Sequence, residues 1–365
     1  MEHPILHLLL KIFSSILILI ITSALLTVSF IWLKSPGKPK PFKDSSGNTL
    51  ENSISEKGYF KVNNANLGYV LKGKDKKKPI LLYLHGGMPD YFLTETFPTG
   101  LDEIFTVIWL EQRGAGLSYQ SRFQTDAGVL DTLVSDVVQV AKLSAKRFAK
   151  DKIYLMGHSG GTYLAVKVIE RHPDLFKAYI GVAQIVYQKK SEKMAYDYVL
   201  SILKTNPQKL NVYQELLEHP VELDKPVPKE WLIHRDDVMH ELGVGTMKSM
   251  EGVIGGLFIP SLLFSEYTLA EKINLWKGKA RSGISIMWDE MLDHDLSIEN
   301  TTFAIPFYIF HGISDLTCSY ALSREYSDKI IAPRKGFFTF NESAHSPIFE
   351  EPGKSIAIIK EKILE

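Results

Sequence analysis

The sequence predicts an α/β fold: a mostly parallel sheet flanked by helices, with a helical cap inserted after the sixth strand and an N-terminal transmembrane helix. Three observations predict it. From about residue 58, short apolar and β-branched runs alternate with helical segments, and parallel pairing follows because a right-handed crossover needs a helix between paired strands. That rhythm stops over residues 185–300, where helical stretches, prolines, aromatics and methionines take over, and then resumes. Residues 12–33 carry no charge over 22 positions, long enough to span a bilayer.

In chain order, residues 1–33 are read as a tail and membrane anchor. A cleaved leader would have a shorter apolar core and a small-x-small site; Thr22-Ser23-Ala24 is the nearest approach, so an uncleaved single-pass anchor is the expectation. Lys34, Lys38, Lys40 and Lys43 follow the span, while Lys11 alone stands just before it. The charge bias favours a catalytic domain on the cytoplasmic side; a signal anchor with a short tail would place it opposite. Residues 34–57, rich in Lys, Pro, Ser, Gly and Asn, read as a linker lifting the domain off the membrane.

Residues 58–184 form the first half of the core. Strands at 58–62 and 66–71 open the sheet, and the lysine-rich run 74–78 reads as a solvated hairpin turn into the strand 79–84. Strand 105–110 follows. Leu130, Leu133, Val134, Val137, Val138 and Ala141 recur at helical spacing, so residues 126–149 hold an amphipathic helix. Strand 152–156, helix 162–171 and strand 178–183 complete this half. Residues 185–300 are the cap, with helices at 191–204 and 208–217, and residues 301–365 return to the core through strands 305–310 and 336–340.

The chemistry is concentrated at Gly157-His158-Ser159-Gly160-Gly161, a Gly-x-Ser-x-Gly pattern between a strand and a helix. By chance alone the pattern is expected about 0.1 times at this composition, so it needs partners. A serine on a sharp strand-to-helix turn projects its hydroxyl above the sheet, but it becomes a nucleophile only when a base removes its proton and a carboxylate orients that base. Enzymes of this kind supply the acid and then the histidine downstream. Asp315 lies in the loop after strand 305–310, and His345 in the loop after strand 336–340. His158, His172 and His311 have weaker claims, as the variable elbow position, a helix end and the residue before the aspartate loop. Attack on a carbonyl leaves negative charge on its oxygen, and backbone N–H groups of Gly87, in His85-Gly86-Gly87, and Gly160 are the candidate oxyanion-hole donors.

These residues resemble the α/β-hydrolase superfamily, and within it the proline iminopeptidase-like serine hydrolases. The resemblance spans about residues 58–363. Beyond the elbow it rests on His85-Gly86-Gly87, on Glu111-Gln112-Arg113-Gly114-Ala115-Gly116-Leu117-Ser118, and on Ser343-Ala344-His345-Ser346-Pro347-Ile348-Phe349-Glu350-Glu351-Pro352. It implies a Ser159–His345–Asp315 triad, no cofactor and no metal, and hydrolysis of an ester or amide in a small molecule or short peptide. Two departures stand out: Met88-Pro89-Asp90 replaces the group's Pro-Gly, and Glu111 its aspartate. The group's aminopeptidases hold the substrate amine with cap glutamates, one in a Trp-x-x-Trp-Glu-type motif; here the region reads Trp231-Leu232-Ile233-His234-Arg235-Asp236-Asp237, which argues against strict proline specificity. Gln112 and Arg113 are expected to brace loops.

Composition narrows the alternatives. Lys plus Arg and Asp plus Glu both number 42, and the lysine run 74–78 carries no interleaved aromatics, so nucleic acid is not an expected partner. Cys318 is the only cysteine, which rules out an intrachain disulfide. The spacing of His234, Asp236, Asp237 and His240 matches no metal motif. Trp231, Met239, Met247, Met250, Phe258, Phe264, Tyr267 and Trp288 are pocket candidates or cap core. The competing reading is a catalytically silent binding protein on the same fold. A serine at the elbow excludes a carboxylate nucleophile, and with it dehalogenase or epoxide hydrolase chemistry.

Overall fold

Mostly apolar runs of five to seven residues, too short for helices and buried apart from Lys177, form the centre of the sheet: β3 (Ile80–Leu84), β4 (Thr106–Leu110), β5 (Ile153–His158), β6 (Phe176–Val182) and β7 (Phe307–Gly312). The computed structural model describes residues 4–121 and 128–364. β1 (Ile54–Val62), β2 (Ala65–Gly73) and β8 (Lys335–Phe340) complete eight strands in the order β1-β2-β4-β3-β5-β6-β7-β8. β2 runs antiparallel to both neighbours, and β3 to β8 are mutually parallel. This is the α/β-hydrolase fold.

Two expectations need correcting. The lysine-rich turn 74–78 does not close a hairpin, because β4 lies between β2 and β3; Lys74 N–H instead donates to Asp102 O at 2.9 Å. β1 also starts at Ile54 rather than 58: its early residues, Ser55-Glu56-Lys57, are polar, yet they pair in register with Lys72, Leu71 and Val70 of β2.

Apolar layers cover both faces of the sheet. One is built by α2 (Val129–Arg147), α3 (Gly160–Arg171) and α11 (Tyr320–Lys329). The other is built by the turn Tyr91–Glu95, α12 (Pro347–Glu350) and the residues after α13 (Pro352–Ile358). The sequence places the start of α2 at residues 126–127, outside the described residues.

Between β6 and β7 helices joined by loops replace strands: α4 (Gln188–Leu203), α5 (Leu210–Glu218), α6 (Lys229–Glu241), a π-helical turn Ile254–Phe258 running into α7 (Ile259–Leu263), α8 (Leu269–Ser282), α9 (Trp288–Asp293) and α10 (Leu296–Glu299). The first three share their own core around Trp231, Tyr196, Val199 and Leu216.

At the N-terminus, α1 (Pro4–Leu33) is exposed over the apolar stretch His7–Leu33. The segment read as a linker is docked rather than free. Lys272 Nζ, on α8, donates to Ser35 Oγ at 2.8 Å, Gly37 N–H to Ser265 O at 3.1 Å, and Lys40 N–H to Glu266 Oε1 at 2.8 Å. A short polar segment hides this in the sequence, because its partners lie more than 200 residues away.

Candidate active site

Ser159 sits at the junction of β5 and α3 with φ 55° and ψ −126°, a conformation that strains an L-residue by about 1–3 kcal/mol. The glycines around it are there for space. A Cβ on Gly161 would lie 2.2 Å from Leu84 O, and one on Gly157 would lie 2.5 Å from Gly161 O, so the strand-to-helix turn closes only without side chains. The turn is held from behind: Ser159 N–H donates to Val182 O at 3.0 Å, and Thr162 Oγ1 donates to Ser159 O at 2.6 Å. The serine side chain is left half-buried at the wall of a cavity of about 940 Å³, its open mouth included, shared with His345, Gly86 and Gly87.

The acid and the histidine arrive from β7 and β8. A Cβ at Gly312 would lie 1.9 Å from Ala344 O, so the end of β7 packs backbone-to-backbone on the loop carrying His345. That contact sets Asp315 beside the imidazole. Asp315 is fully buried; its Oδ2 accepts from His345 Nδ1 at 2.9 Å and lies 3.0 Å from His311 Nε2, while its Oδ1 accepts from Cys318 N–H at 3.0 Å. Burial alone would raise the carboxyl's pKa, but the two imidazoles hold it well below the usual carboxylate range. The same burial lowers His345 below an ordinary histidine, against the opposing pull of Asp315. With Nδ1 committed to the carboxylate, Nε2 is the nitrogen available to the cavity.

Three features went unread in the sequence. His158 donates from Nδ1 to Asp90 Oδ2 at 2.9 Å and from Nε2 to His345 O at 3.0 Å. Both partners can accept, so the arrangement favours a doubly protonated ring. Burial opposes that charge, yet Asp90 carries the His158 pKa above its ordinary value. The departure Met88-Pro89-Asp90 thus supplies the carboxylate for a buried ion pair, and the His158 ring of that pair lies 5.1 Å from the His345 ring, centroid to centroid. Second, Glu350 and Glu351 tie down the histidine loop. Glu350 Oε2 accepts from Ala344 N–H at 3.0 Å, and Glu351 Oε2 accepts from Ser343 Oγ at 2.7 Å. Third, Glu111 is buried; it accepts from Leu117 N–H at 2.6 Å and from Tyr267 OH of the cap region, and burial raises its pKa to about 7.

Gln112 and Arg113 brace loops. Gln112 Nε2 donates to His85 O at 2.6 Å and Gln112 N–H to His85 Nε2 at 3.0 Å, fixing the loop that carries Gly87. Arg113 forks onto Asp136 of α2 with two bonds of 2.7 Å. Within that loop, Gly86 is the residue packed on Ser159: a Cβ there would lie 3.1 Å from Ser159 Oγ, while one on Gly87 would meet Ile284 O at 2.2 Å.

The cap closes the cavity with Met239, Leu257, Trp276 and Lys279 among others. Of the aromatic and methionine cap residues singled out in the sequence, only Met239 lines the cavity, while Trp231, Met247, Met250, Phe264 and Tyr267 are buried in apolar cores; Arg235, Asp236 and His240, from the same stretch as Met239, line it too. Glu192 is fully buried, and Arg235 takes both of its oxygens at 2.9 Å while Trp231 Nε1 donates to one at 2.6 Å. Among the described residues, no group of three or more His, Cys, Asp or Glu is arranged to hold a metal ion.

Known proteins agree with this architecture. Residues 75–249 match the family model described as Hydrolase_4, serine aminopeptidase, S33. A relative named probable aminopeptidase YbaC from Bacillus subtilis (strain 168) is 29% identical over 305 residues, covering 82% of this chain and 93% of its own. The crystal structure of a proline iminopeptidase-related protein from Thermus thermophilus superposes with a TM-score of 0.55 at 22% identity, covering 84% of this chain and 96% of its own. That of VinJ gives 0.57 at 17%, covering 83% and 96%. At such identities the solved structures establish the fold alone.

Proposed function

We propose that this chain, which has the α/β-hydrolase fold and is similar to the proline iminopeptidase-like group, is a serine hydrolase that cleaves an ester or amide through an acyl-enzyme formed on Ser159. His345 Nε2 takes the Ser159 hydroxyl proton as Oγ attacks the substrate carbonyl. Asp315 holds His345 in the tautomer with Nδ1 protonated and stabilises the imidazolium that forms. The N–H groups of Gly87 and Gly160 receive the negative charge on the carbonyl oxygen. Collapse breaks the acyl bond, and the leaving alcohol or amine takes its proton from His345 Nε2. Water, deprotonated by His345, then releases the acid and restores Ser159.

The observation that carries this reading is the 2.9 Å bond between Asp315 and His345 at a cavity whose wall also holds a serine on a strained elbow. The test is labelling with a fluorophosphonate probe. Wild type is expected to label, and Ser159→Ala and His345→Ala are expected not to. A folded wild type that fails to label would leave a silent binding protein as the better account.

Within the hydrolases, an ester is the favoured substrate class. Binding a free amine needs an uncommitted carboxylate, and the buried Glu192 has both oxygens taken. An aminopeptidase-like activity is the second reading, supported by the name of the Bacillus subtilis relative and by Asp236 in the cavity wall. Hydrolysis of acyl esters measured against aminoacyl amides separates the two. For location, α1 is long and apolar enough to serve as a membrane span or a signal sequence. We favour a retained single-pass anchor, with the lysines after it keeping the catalytic domain on the cytoplasmic side.

A further inference from the structure

The end of α1 is fastened to one edge of the cap. Lys272 Nζ donates to Ser35 Oγ at 2.8 Å and to Leu262 O at 2.7 Å, and Pro36 bridges to Thr268. Gly37 lies four residues beyond Leu33, so no more than about 14 Å of chain separates the end of the apolar helix from its contact at Ser265. Trp32 is exposed in the last turn and Lys34 follows it, the pairing expected at a membrane–water boundary. If α1 spans a bilayer, the cap residues around 262–272 sit at its surface.

The neighbouring cap surface is apolar. Ile254 (71% exposed), Phe258, Ile259 (47%) and Leu263 share one face of the π-turn and α7, and Ile273 (47%) follows on α8. A monomer in water has no use for such a cluster beside its anchor. The same segment lines the catalytic cavity through the neighbouring Val253 and Leu257. Phe258 meets Trp276 edge-on at 5.0 Å, and Trp276 is itself in the cavity wall. One layer of side chains therefore separates the outer apolar face from the space in front of Ser159.

We infer that the face formed by Ile254, Phe258, Ile259, Leu263 and Ile273 lies in the surface of the bilayer that α1 enters, and that the catalytic cavity draws its substrate, an ester bearing a long alkyl or acyl chain, from the lipid. The substrate part of this inference rests on the hydrolase reading above; the membrane contact does not. Occupancy by bilayer rather than by another protein follows from the anchor, which holds this face within a few residues of the apolar span in every molecule.

The experiment uses the full chain in phosphatidylcholine–phosphatidylglycerol vesicles. Native Cys318 is buried, so Ile254→Cys can carry a polarity-sensitive thiol probe, with Ile298→Cys, exposed before β7, as the comparison. The expected result is a blue-shifted Ile254 probe quenched by nitroxide lipids, with the Ile298 probe reporting water. In the same vesicles, the double variant Ile254→Asp, Ile259→Asp is expected to hydrolyse a lipid-dispersed long-chain ester about tenfold more slowly, with a soluble short-chain ester and fluorophosphonate labelling unchanged. A water-exposed Ile254 probe, or shielding that appears only as protein concentration rises, overturns the membrane contact, the latter in favour of a second copy. Equal loss on both esters overturns the lipid route. Failure of wild type to label defeats the hydrolase reading instead, and the probe still decides where this face lies.

Discussion

Replacing Asp315 by Asn isolates the orienting carboxylate with almost no change of shape. The amide oxygen can keep the bond from Cys318 N–H, which leaves the NH₂ group facing His345 Nδ1, 2.9 Å away, and His311 Nε2, 3.0 Å away. A donor there makes His345 accept at Nδ1 and carry its proton on Nε2, the nitrogen that must take the proton of Ser159. The variant also loses charge stabilisation. At an effective dielectric constant near 20, opposite charges about 4 Å apart attract by ~4 kcal/mol. At about 1.36 kcal/mol per decade, that is roughly a thousandfold in rate, and the wrong tautomer adds about tenfold more. The expected fall in kcat/KM on an activated ester is therefore about 10³–10⁴, with an unchanged circular dichroism spectrum. A folded variant losing less than about tenfold would refute the role given to Asp315, since loss of charge alone accounts for more than that.

Three further outcomes follow from the buried charges. Because burial lowers the pKa of His345, its neutral, proton-accepting form persists below the ordinary histidine value; the acid limb of kcat/KM should have its midpoint below pH 6.5, and a midpoint above 7 would contradict the geometry. Glu111 has its folded pKa raised from 4.5 to about 7, so the stability associated with its protonated form is complete below pH 4.5 and lost as pH rises through 7; Glu111→Gln should flatten thermal stability across that window. Arg113→Ala leaves Asp136 buried without its guanidinium, at a cost of about 3–5 kcal/mol, and should lower Tm by roughly 10 °C in calorimetry while leaving fluorophosphonate labelling of the folded fraction intact.

The parts of this fold legible in the sequence are those where neighbours along the chain settle the structure. β3 to β7 are largely apolar runs because both faces of the sheet are covered, and the elbow announces itself through glycines that Leu84 O and Gly161 O leave no room to replace. Pairing is different. The insertion of β4 between β2 and β3 is a fact of crossover topology, and no spacing around residues 74–78 encodes it. Long-range polar contacts are equally hidden. His158 looks like the free position of a motif until Asp90, 68 residues earlier in the chain, is seen to meet its Nδ1. His311 reads only as the residue before Asp315, although its Nε2 reaches both Cys318 O and the Asp315 carboxylate. The departure at Met88-Pro89-Asp90 is the available signal: an acidic residue entering a glycine loop beside a histidine-bearing elbow suggests a pair.

The order of parts along the chain also has a consequence in time. Asp315 lies 156 residues, and His345 186 residues, downstream of Ser159, with all the cap helices made in between. A ribosome adding about 5–20 residues per second needs roughly 10–40 s to travel from the serine codon to the histidine codon. Throughout that interval β1 to β6 can assemble and the elbow can form, but its hydroxyl has no base and remains an ordinary alcohol. The nascent protein therefore emerges with its cap, and the cap edge that meets residues 35–40, made before the proposed triad is complete. The hydrolase is armed late, after the surfaces that confine its reach are already in place.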